Sequence, residues 1–250
     1  MLMPGTVLVT GGAKRLGAAI ARAVAAAGAR VVIHYGRSAG EAEALAAELD
    51  GATVQGDLAD TAGAAALFAR ARAAAGGPIA GLVNSASMFE YDRPEGIDPA
   101  LAARLHAINA VTPALLAAAL AAQDDVDDGA VVNLLDQKLA NPNPDFFSYS
   151  LSKYALAGAT EMLAQALAPR VRVNAVAPGI TLPSGDQSEA DFAAVARDNL
   201  LRRPVGAANV AEAVVYLLGA RSVTGQTLYV DGGQRFVKRD GDVMFEGRDG

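Results

Sequence analysis

The chain has no cysteine, which excludes disulfides, thiolate metal sites and a cysteine nucleophile. Histidine is almost as scarce: His34 and His106 are the only two, too far apart in sequence for a His-rich metal motif. Positive charge is in the minority. The 21 Lys and Arg against 27 Asp and Glu leave a formal net charge of -6, which argues against a nucleic acid or an anionic membrane as partner. Long apolar runs are missing as well. Pro113 to Ala122 is the longest, ten residues, whereas a membrane-spanning helix needs about twenty. Met1 to Gly5 lacks a basic segment, and Val7-Leu8-Val9 is too short for the apolar core of a signal peptide. A soluble, cytoplasmic protein is expected. The acidic pairs Asp124-Asp125 and Asp127-Asp128 lack the glycine-containing spacing of a calcium loop and read as a solvated turn.

What is abundant is apolar. Hydrophobic residues make up 52% of the 250, many of them alanine, which suits helices packed closely on a sheet. Short β-rich runs alternate with alanine-rich segments along the chain. Strands are expected at Thr6–Thr10, Arg30–His34, Thr53–Gly56, Gly81–Asn84, Ala130–Leu135, Arg172–Val176 and Gln226–Val230. Most are continuous apolar runs, as for parallel strands buried on both faces. Helices are expected near Leu16–Ala27, Ala39–Leu49, Ala62–Ala75, Pro99–Ala122 (as two, broken near Pro113), Ser148–Leu167, Glu189–Leu200 and Val210–Leu218. Repeated βα units imply a single α/β domain, doubly wound and Rossmann-type, with a seven-stranded parallel sheet flanked by helices. That domain is expected over residues 1–237. Residues 238–250, of mixed charge and rich in glycine, read as a C-terminal tail.

Thr10-Gly11-Gly12-Ala13-Lys14-Arg15-Leu16-Gly17 joins the first strand to the first helix. Glycines there let the backbone turn tightly and approach a pyrophosphate at the helix N-terminus. A plain βα turn also favours glycine, but this one opens a βα series, which points to a dinucleotide. An acidic residue at the end of the second strand would favour NAD. The chain has His34-Tyr35-Gly36-Arg37-Ser38 instead. Arg37 and Ser38, with Arg15 as a second positive charge, suit a 2′-phosphate, so NADPH is the expected cofactor. Asp57 follows the third strand, placed either to accept from an adenine amino group or to cap a helix.

Tyr149 and Lys153 are i and i+4 on one helix face. An ammonium beside a phenol tunes it towards acid–base work near neutral pH. Alone the pair is common. Downstream of a nucleotide turn, and with Asn84-Ser85-Ala86 after the fourth strand, it is specific.

Thr10–Gly17, Asp57, Asn84-Ser85-Ala86, Asn109, Tyr149/Lys153, Pro178-Gly179 after Asn174, and Asp231-Gly232-Gly233 together resemble the short-chain dehydrogenase/reductase family, over about Thr6 to Phe236. The resemblance implies Tyr149 as proton donor and Lys153 on the nicotinamide ribose, lowering the Tyr149 pKa. Asn109 would position a water on the proton relay. It implies a cofactor site formed by Thr10, Gly11, Lys14, Arg15, Leu16 and Gly17, by His34, Tyr35, Arg37 and Ser38, by Asp57 and Leu58, by Asn84, Ser85 and Ala86, and by Lys153, Pro178 and Gly179. It also implies a homotetramer.

Two positions depart from the usual pattern. Arg15 stands where a second glycine is usual, and Asp136, thirteen residues before Tyr149, where a serine is usual. Both resemble the pteridine reductase and dihydromonapterin reductase subgroup, as does the second-strand segment. Within that resemblance Phe89 falls where an aromatic stacks on a pterin, Ser87 where a hydroxyl meets pterin and cofactor phosphates, and Arg15, Asp136 and Tyr149 beside them in the substrate site. Chemistry agrees: reducing a ring C=N bond needs a proton on nitrogen, which a carboxyl can relay, while a carboxylate would repel the alkoxide formed from a carbonyl. The expected substrate is therefore a small molecule, a pterin or dihydropterin. A carbonyl or 3-oxoacyl reductase with an atypical Asp136, and an NADP(H)-binding regulator without turnover, are the rivals.

Overall fold

The computed structural model describes residues 5–183, 192–193 and 195–242. The expected alternation is present: β1 (Thr6–Thr10), α1 (Arg15–Ala26), β2 (Arg30–Tyr35), α2 (Ala39–Glu48), β3 (Ala52–Gln55), α3 (Ala64–Ala75), β4 (Ile79–Asn84), α4 (Pro99–His106), α5 (Thr112–Ala121), β5 (Gly129–Leu134), α6 (Phe147–Leu167), β6 (Val171–Pro178), α7 (Ala207–Gly219) and β7 (Thr227–Val230). Of the helix expected over Glu189–Leu200, residues 189–191 and 194 lie outside the described residues; 192, 193 and 195 are helical, and 196–200 form turns rather than the expected helix end.

All seven strands are parallel, in the order β3-β2-β1-β4-β5-β6-β7. Side chains alternate across the sheet, so each apolar strand feeds two layers. Val7, Val9, Val31 and Ile33 pack beneath Ile20 and Val24 of α1 and Leu217 of α7. Leu8, Val32, Leu82 and Val131 face the opposite layer, against Leu67 and Phe68 of α3 and Leu116 and Leu120 of α5. Leu8 has no exposed surface, and truncating such a residue to alanine costs about 2–5 kcal/mol. The strand order reverses between β1 and β4, and an open α/β sheet binds ligands at that crevice. Registers Thr10↔Asn84 and Asn84↔Asn133 bring the ends of β1, β4 and β5 to one level there.

One helix boundary differs from expectation. Pro113 does not break the helix; α4 and α5 run on through a π turn at Ala107–Val111. Proline has no N–H to return to the carbonyl four residues back, here that of Asn109, and a wider turn just before it accommodates the loss. The resulting helix, Pro99–Ala121, is long and apolar enough to cross a membrane. Leu105, Leu116 and Leu120 are nevertheless fully buried in this fold.

The tail also departs from expectation. Its first residues fold back onto the domain. Asn141 Nδ2 donates to Val237 O at 2.7 Å, Asn143 Nδ2 to Gly241 O at 3.0 Å, and Asp242 N to Asp145 Oδ2 at 2.7 Å. The loop 141–145 thus offers side chains that capture the backbone of 237–242. The apolar triplet Val243-Met244-Phe245 lies outside the described residues.

Candidate active site

The glycine turn is built from contacts that forbid side chains. A Cβ on Gly11, whose φ is +62°, would lie 2.8 Å from Ala86 Cα, and one on Gly17 would lie 2.1 Å from Gly11 O. The first glycine lets the β4 loop close on the turn; the second lets α1 start directly behind it. Thr10 Oγ1 accepts from Ser85 N at 3.0 Å and Ala86 N at 3.1 Å, locking the ends of β1 and β4 together. Lys14 precedes α1 without a side-chain cap, and no acidic residue sits in the first turn. The N-terminal N–H groups of α1 therefore suit a phosphate.

His34 buttresses this turn from inside. Gly11 N donates to its Nδ1 at 3.2 Å, so Nε2 carries the proton and donates to Gly56 O at 3.2 Å. Burial lowers its pKa to about 4. Its side chain is thus a neutral strut between glycine turn and β3. Beside it opens a cavity of about 600 Å³ lined by Gly36, Arg37, Gly56, Asp57, Leu58 and Arg104, among others. Asp57 Oδ1 accepts from Ala59 N at 2.9 Å, and Thr112 Oγ1 donates to Leu58 O at 2.8 Å, fixing that loop from α5. Tyr35 ends β2, its carbonyl accepting from Gly56 N at 3.1 Å. Ser38 precedes α2 without capping it, and Lys14 pairs with Glu41 at 2.5 Å in solvent.

Arg15 is not where the charge argument puts it. It lines a second cavity, of about 260 Å³, with Leu16, Phe89, Asp136, Pro178 and Gly179, whereas Arg37 lines the first. Its guanidinium donates to Pro183 O. Its backbone has φ +53°, the left-handed conformation for which glycine is the ordinary choice. The arginine keeps the glycine's backbone shape and adds a cation to the cavity with Asp136.

Asp136, in the wall of the second cavity, joins it to the buried pair Tyr149 and Lys153 behind. Tyr149 OH donates to Asp136 Oδ2 at 2.8 Å, while Asp136 Oδ1 accepts from Lys138 N at 2.8 Å. Lys153 Nζ donates to Leu134 O at 2.8 Å and lies 5.7 Å from the Tyr149 ring centroid. Burial raises the Asp136 pKa above the usual carboxylate range and lowers that of Lys153 to about 8. For Tyr149 the expected direction is reversed. Burial first, and then the adjacent Asp136 carboxylate, push the phenol well above its usual value. The acidic residue in the usual serine position holds the phenol in its proton-bearing form.

Asn109 sits in the π turn, 1% exposed. Its Oδ1 accepts from Met88 N at 2.8 Å and Ser87 Oγ at 3.3 Å; its Nδ2 donates to Met88 O at 2.9 Å and Ser152 Oγ at 3.0 Å. The amide thus pins the Phe89 loop to α6. Phe89 stacks on Phe146 at 4.0 Å and meets the Tyr149 ring edge-on at 4.7 Å. Sequence reasoning missed Asp92, which caps α6 from outside: Ser148 N and Oγ donate to its carboxylate at 2.9 and 2.5 Å. It also missed Lys138, Arg239 and Asp242, which complete the cavity wall. No sequence spacing signals these: Asp92 lies 56 positions from Ser148, and Lys138 lies 104 from Asp242. On the far side Gly179 N donates to Val230 O at 3.0 Å and Ile180 N to Gln234 Oε1 at 2.8 Å, so the Asp231-Gly232-Gly233 turn braces Pro178-Gly179.

A glycine turn at a strand switch, beside a buried Tyr–Lys pair, defines a nucleotide-dependent oxidoreductase. The family description enoyl-(acyl carrier protein) reductase matches residues 11–235, and the chain belongs to the short-chain dehydrogenase/reductase family. Among its relatives, pteridine reductase 1 of Leishmania tarentolae is 33% identical over 92% of this chain and 96% of that one. A 3-oxoacyl-[acyl-carrier-protein] reductase FabG of Staphylococcus aureus is 29% identical over 93% and 99%. Among solved structures, FolM alternative dihydrofolate reductase 1 from Brucella canis, complexed with NADP, superposes with a TM-score of 0.90 at 42% identity, covering 97% of this chain and 98% of that one. The Brucella suis protein, also with NADP, gives 0.88 at 44%, covering 94% and 97%.

Proposed function

We propose that this protein is an NADPH-dependent reductase of a pterin or dihydropterin, delivering hydride to a ring C=N bond and a proton to the nitrogen. The observation that carries the reading is the Tyr149–Asp136 hydrogen bond at 2.8 Å, a donor pair at the position where a serine would serve a carbonyl. The similarity to a pteridine reductase and to two FolM proteins solved with NADP supports it. NADPH supplies the hydride when bound. The uncapped start of α1 suits its pyrophosphate, and the larger cavity, with Arg37 in its wall, suits the adenosine half and its 2′-phosphate.

Tyr149 gives its phenolic proton to the ring nitrogen; Asp136, whose pKa burial raises, takes up a proton from solvent and passes it to the phenolate. Lys153 holds the nicotinamide ribose and, close to the Tyr149 ring, limits the charge left on the phenol. Phe89, fixed by Phe146 and by the Asn109 pin, positions the flat substrate. With all four Asn109 contacts made inside the protein, its contribution is to hold the loop; a relay water would meet its backbone rather than its amide. A carbonyl substrate would bring a developing alkoxide against Asp136, which disfavours it whenever that carboxyl is ionised.

The same proposal includes a homotetramer in the cytoplasm. Leu115 of α5 and Leu151, Tyr154 and Met162 of α6 leave apolar side chains exposed, a surface suited to a second copy. It treats residues up to about 237 as the reductase domain, with 238–242 folded onto it. The test is NADPH oxidation with dihydrobiopterin, dihydromonapterin, dihydrofolate and a panel of ketones. Saturable turnover of a pterin, with ketones far poorer, supports the reading; turnover of ketones alone overturns it.

A further inference from the structure

The segment between Asp136 and Tyr149 is tied to residues 237–242 at four points. Asn141 Nδ2 and Asn143 Nδ2 donate to Val237 O and Gly241 O, Asp242 N donates to Asp145 Oδ2, and Lys138 Nζ donates to Asp242 Oδ2 at 2.9 Å. The last of these reaches the acid–base groups. Lys138 N donates to Asp136 Oδ1 at 2.8 Å, which leaves Oδ2 to accept from the Tyr149 hydroxyl. The Lys138 ammonium also lies 5.4 Å from the centroid of Phe146, the ring stacked on Phe89. Asp145 is buried and paired with Arg93, in the loop that follows Phe89. One short segment thus ties the turn beneath Asp136 to the loop that presents the aromatic ring. The Lys138 and Asp242 side chains are only 6% and 13% exposed. A buried ion pair loses the hydration of both partners and is a poor device for stability.

We propose that residues 237–242 form a latch that orients Asp136 for proton transfer, with Lys138 as the positioning residue and Asp242 as its anchor. The inference rests on the Tyr149–Asp136 proton path of the proposed function and names what holds that path in register. Asp136 caps the turn 137–140, which follows β5 directly. Proton transfer is sensitive to such placement, since a shift of about 1 Å can cost on the order of 10²-fold in rate. With its side chain anchored on Asp242, Lys138 keeps its N–H on Oδ1 and so keeps Oδ2 aimed at the phenol. The latch also places a charge. Asp136 is faced by Tyr149 and Lys153 from α6 and by Asp242 from the latch, and Arg15, Lys138 and Arg239 share the cavity wall. Among these, Asp242 strengthens the hold of Asp136 on its proton, while Lys153 and the Tyr149 hydrogen bond weaken it.

The test is steady-state kinetics with a dihydropterin in Lys138→Met, Lys138→Arg, Asp242→Asn and the double variant Lys138→Met/Asp242→Leu. Removing one partner leaves the other charge buried and can unfold the protein; the double variant removes both and should keep the fold. Lys138→Met and the double variant should lose about tenfold or more in kcat, with pterin KM and NADPH affinity within about threefold of the parent. Lys138→Arg keeps a cation for Asp242 and should recover most of that loss. Asp136 is reprotonated from solvent, so turnover falls as pH rises through its pKa. Without the Asp242 charge that pKa drops, and the alkaline limb of the kcat profile should move to lower pH in Asp242→Asn and in the double variant. A double variant with parental kcat overturns this inference alone. So does a loss of kcat with the alkaline limb unmoved, which would mean that the pair only supports the fold. A parent that reduces ketones and no pterin overturns the proposed function, and this inference with it.

Discussion

Tyr149 and Asp136, from α6 and from the turn after β5, share a hydrogen bond of 2.8 Å. Burial raises the pKa of both groups, and the neighbouring carboxylate raises that of the phenol further, so the phenol keeps its proton. Under the proposed function this pair supplies the proton that the nitrogen of a C=N substrate demands.

Tyr149→Phe should therefore bind NADPH normally and lose most turnover. Only a hydroxyl is removed, and general acid catalysis is typically worth about 10²–10⁴-fold. Steady-state rates beside cofactor titration check this. Turnover within a few-fold of the parent would mean that Asp136 delivers the proton directly.

Arg37→Ala should weaken NADPH about tenfold or more and hardly change NADH, since a charge-assisted bond to phosphate is worth roughly 1.5–3 kcal/mol. Arg15 lies in the other cavity, so Arg15→Ala should act on substrate KM and leave the NADPH to NADH ratio largely intact. Fluorescence titration with both cofactors separates the two. Equal affinity of the parent for NADPH and NADH would refute the role given to Arg37.

His34 predicts an acid limit. Its folded pKa of about 4 lies below the usual 6.5. Above pH 6.5 the residue is neutral folded or unfolded, and nothing is lost. As pH falls through 6.5 to 4 the unfolded chain takes up a proton that the folded one refuses, and stability drops, by at most about 3 kcal/mol. Urea midpoints at several pH values, compared with His34→Gln, check the sign. Parallel curves for the two proteins would contradict it.

Phe89→Ala should raise pterin KM about two- to tenfold, because ring stacking is worth roughly 0.5–1.5 kcal/mol beyond burial. NADPH affinity should be unaffected. The loop is anchored at Met88 by Asn109, so the variant loses the ring and keeps the backbone. An unchanged KM would remove Phe89 from the substrate site.

How far the sequence was legible follows from the range of the interactions. Strand and helix positions follow from local apolar runs, and their edges fall within a few residues of expectation. Thr10, Asn84 and Asp136 lie together at or just past the ends of β1, β4 and β5, because the βα pattern brings those strand ends to one level. Geometry that depends on distant partners was not legible. The π turn beside Pro113 replaced an expected break. The strut role of His34 requires Gly11 and Gly56 together. The reversal of the Tyr149 shift requires knowing that Asp136 touches it, and the Lys138–Asp242 pair joins residues 104 apart.

The most direct test of the account is turnover of a dihydropterin against a ketone in the parent, Asp136→Ala and Asp136→Ser. The parent should favour the pterin. Asp136→Ala should abolish pterin reduction while NADPH still binds. Asp136→Ser should stay poor with pterins, a hydroxyl being too weak an acid to replace the carboxyl, and gain some ketone reduction because the opposing charge is gone. A parent that prefers ketones, or an Asp136→Ala protein that still reduces the pterin at the parental rate, would contradict the account and leave only a reductase of the short-chain family.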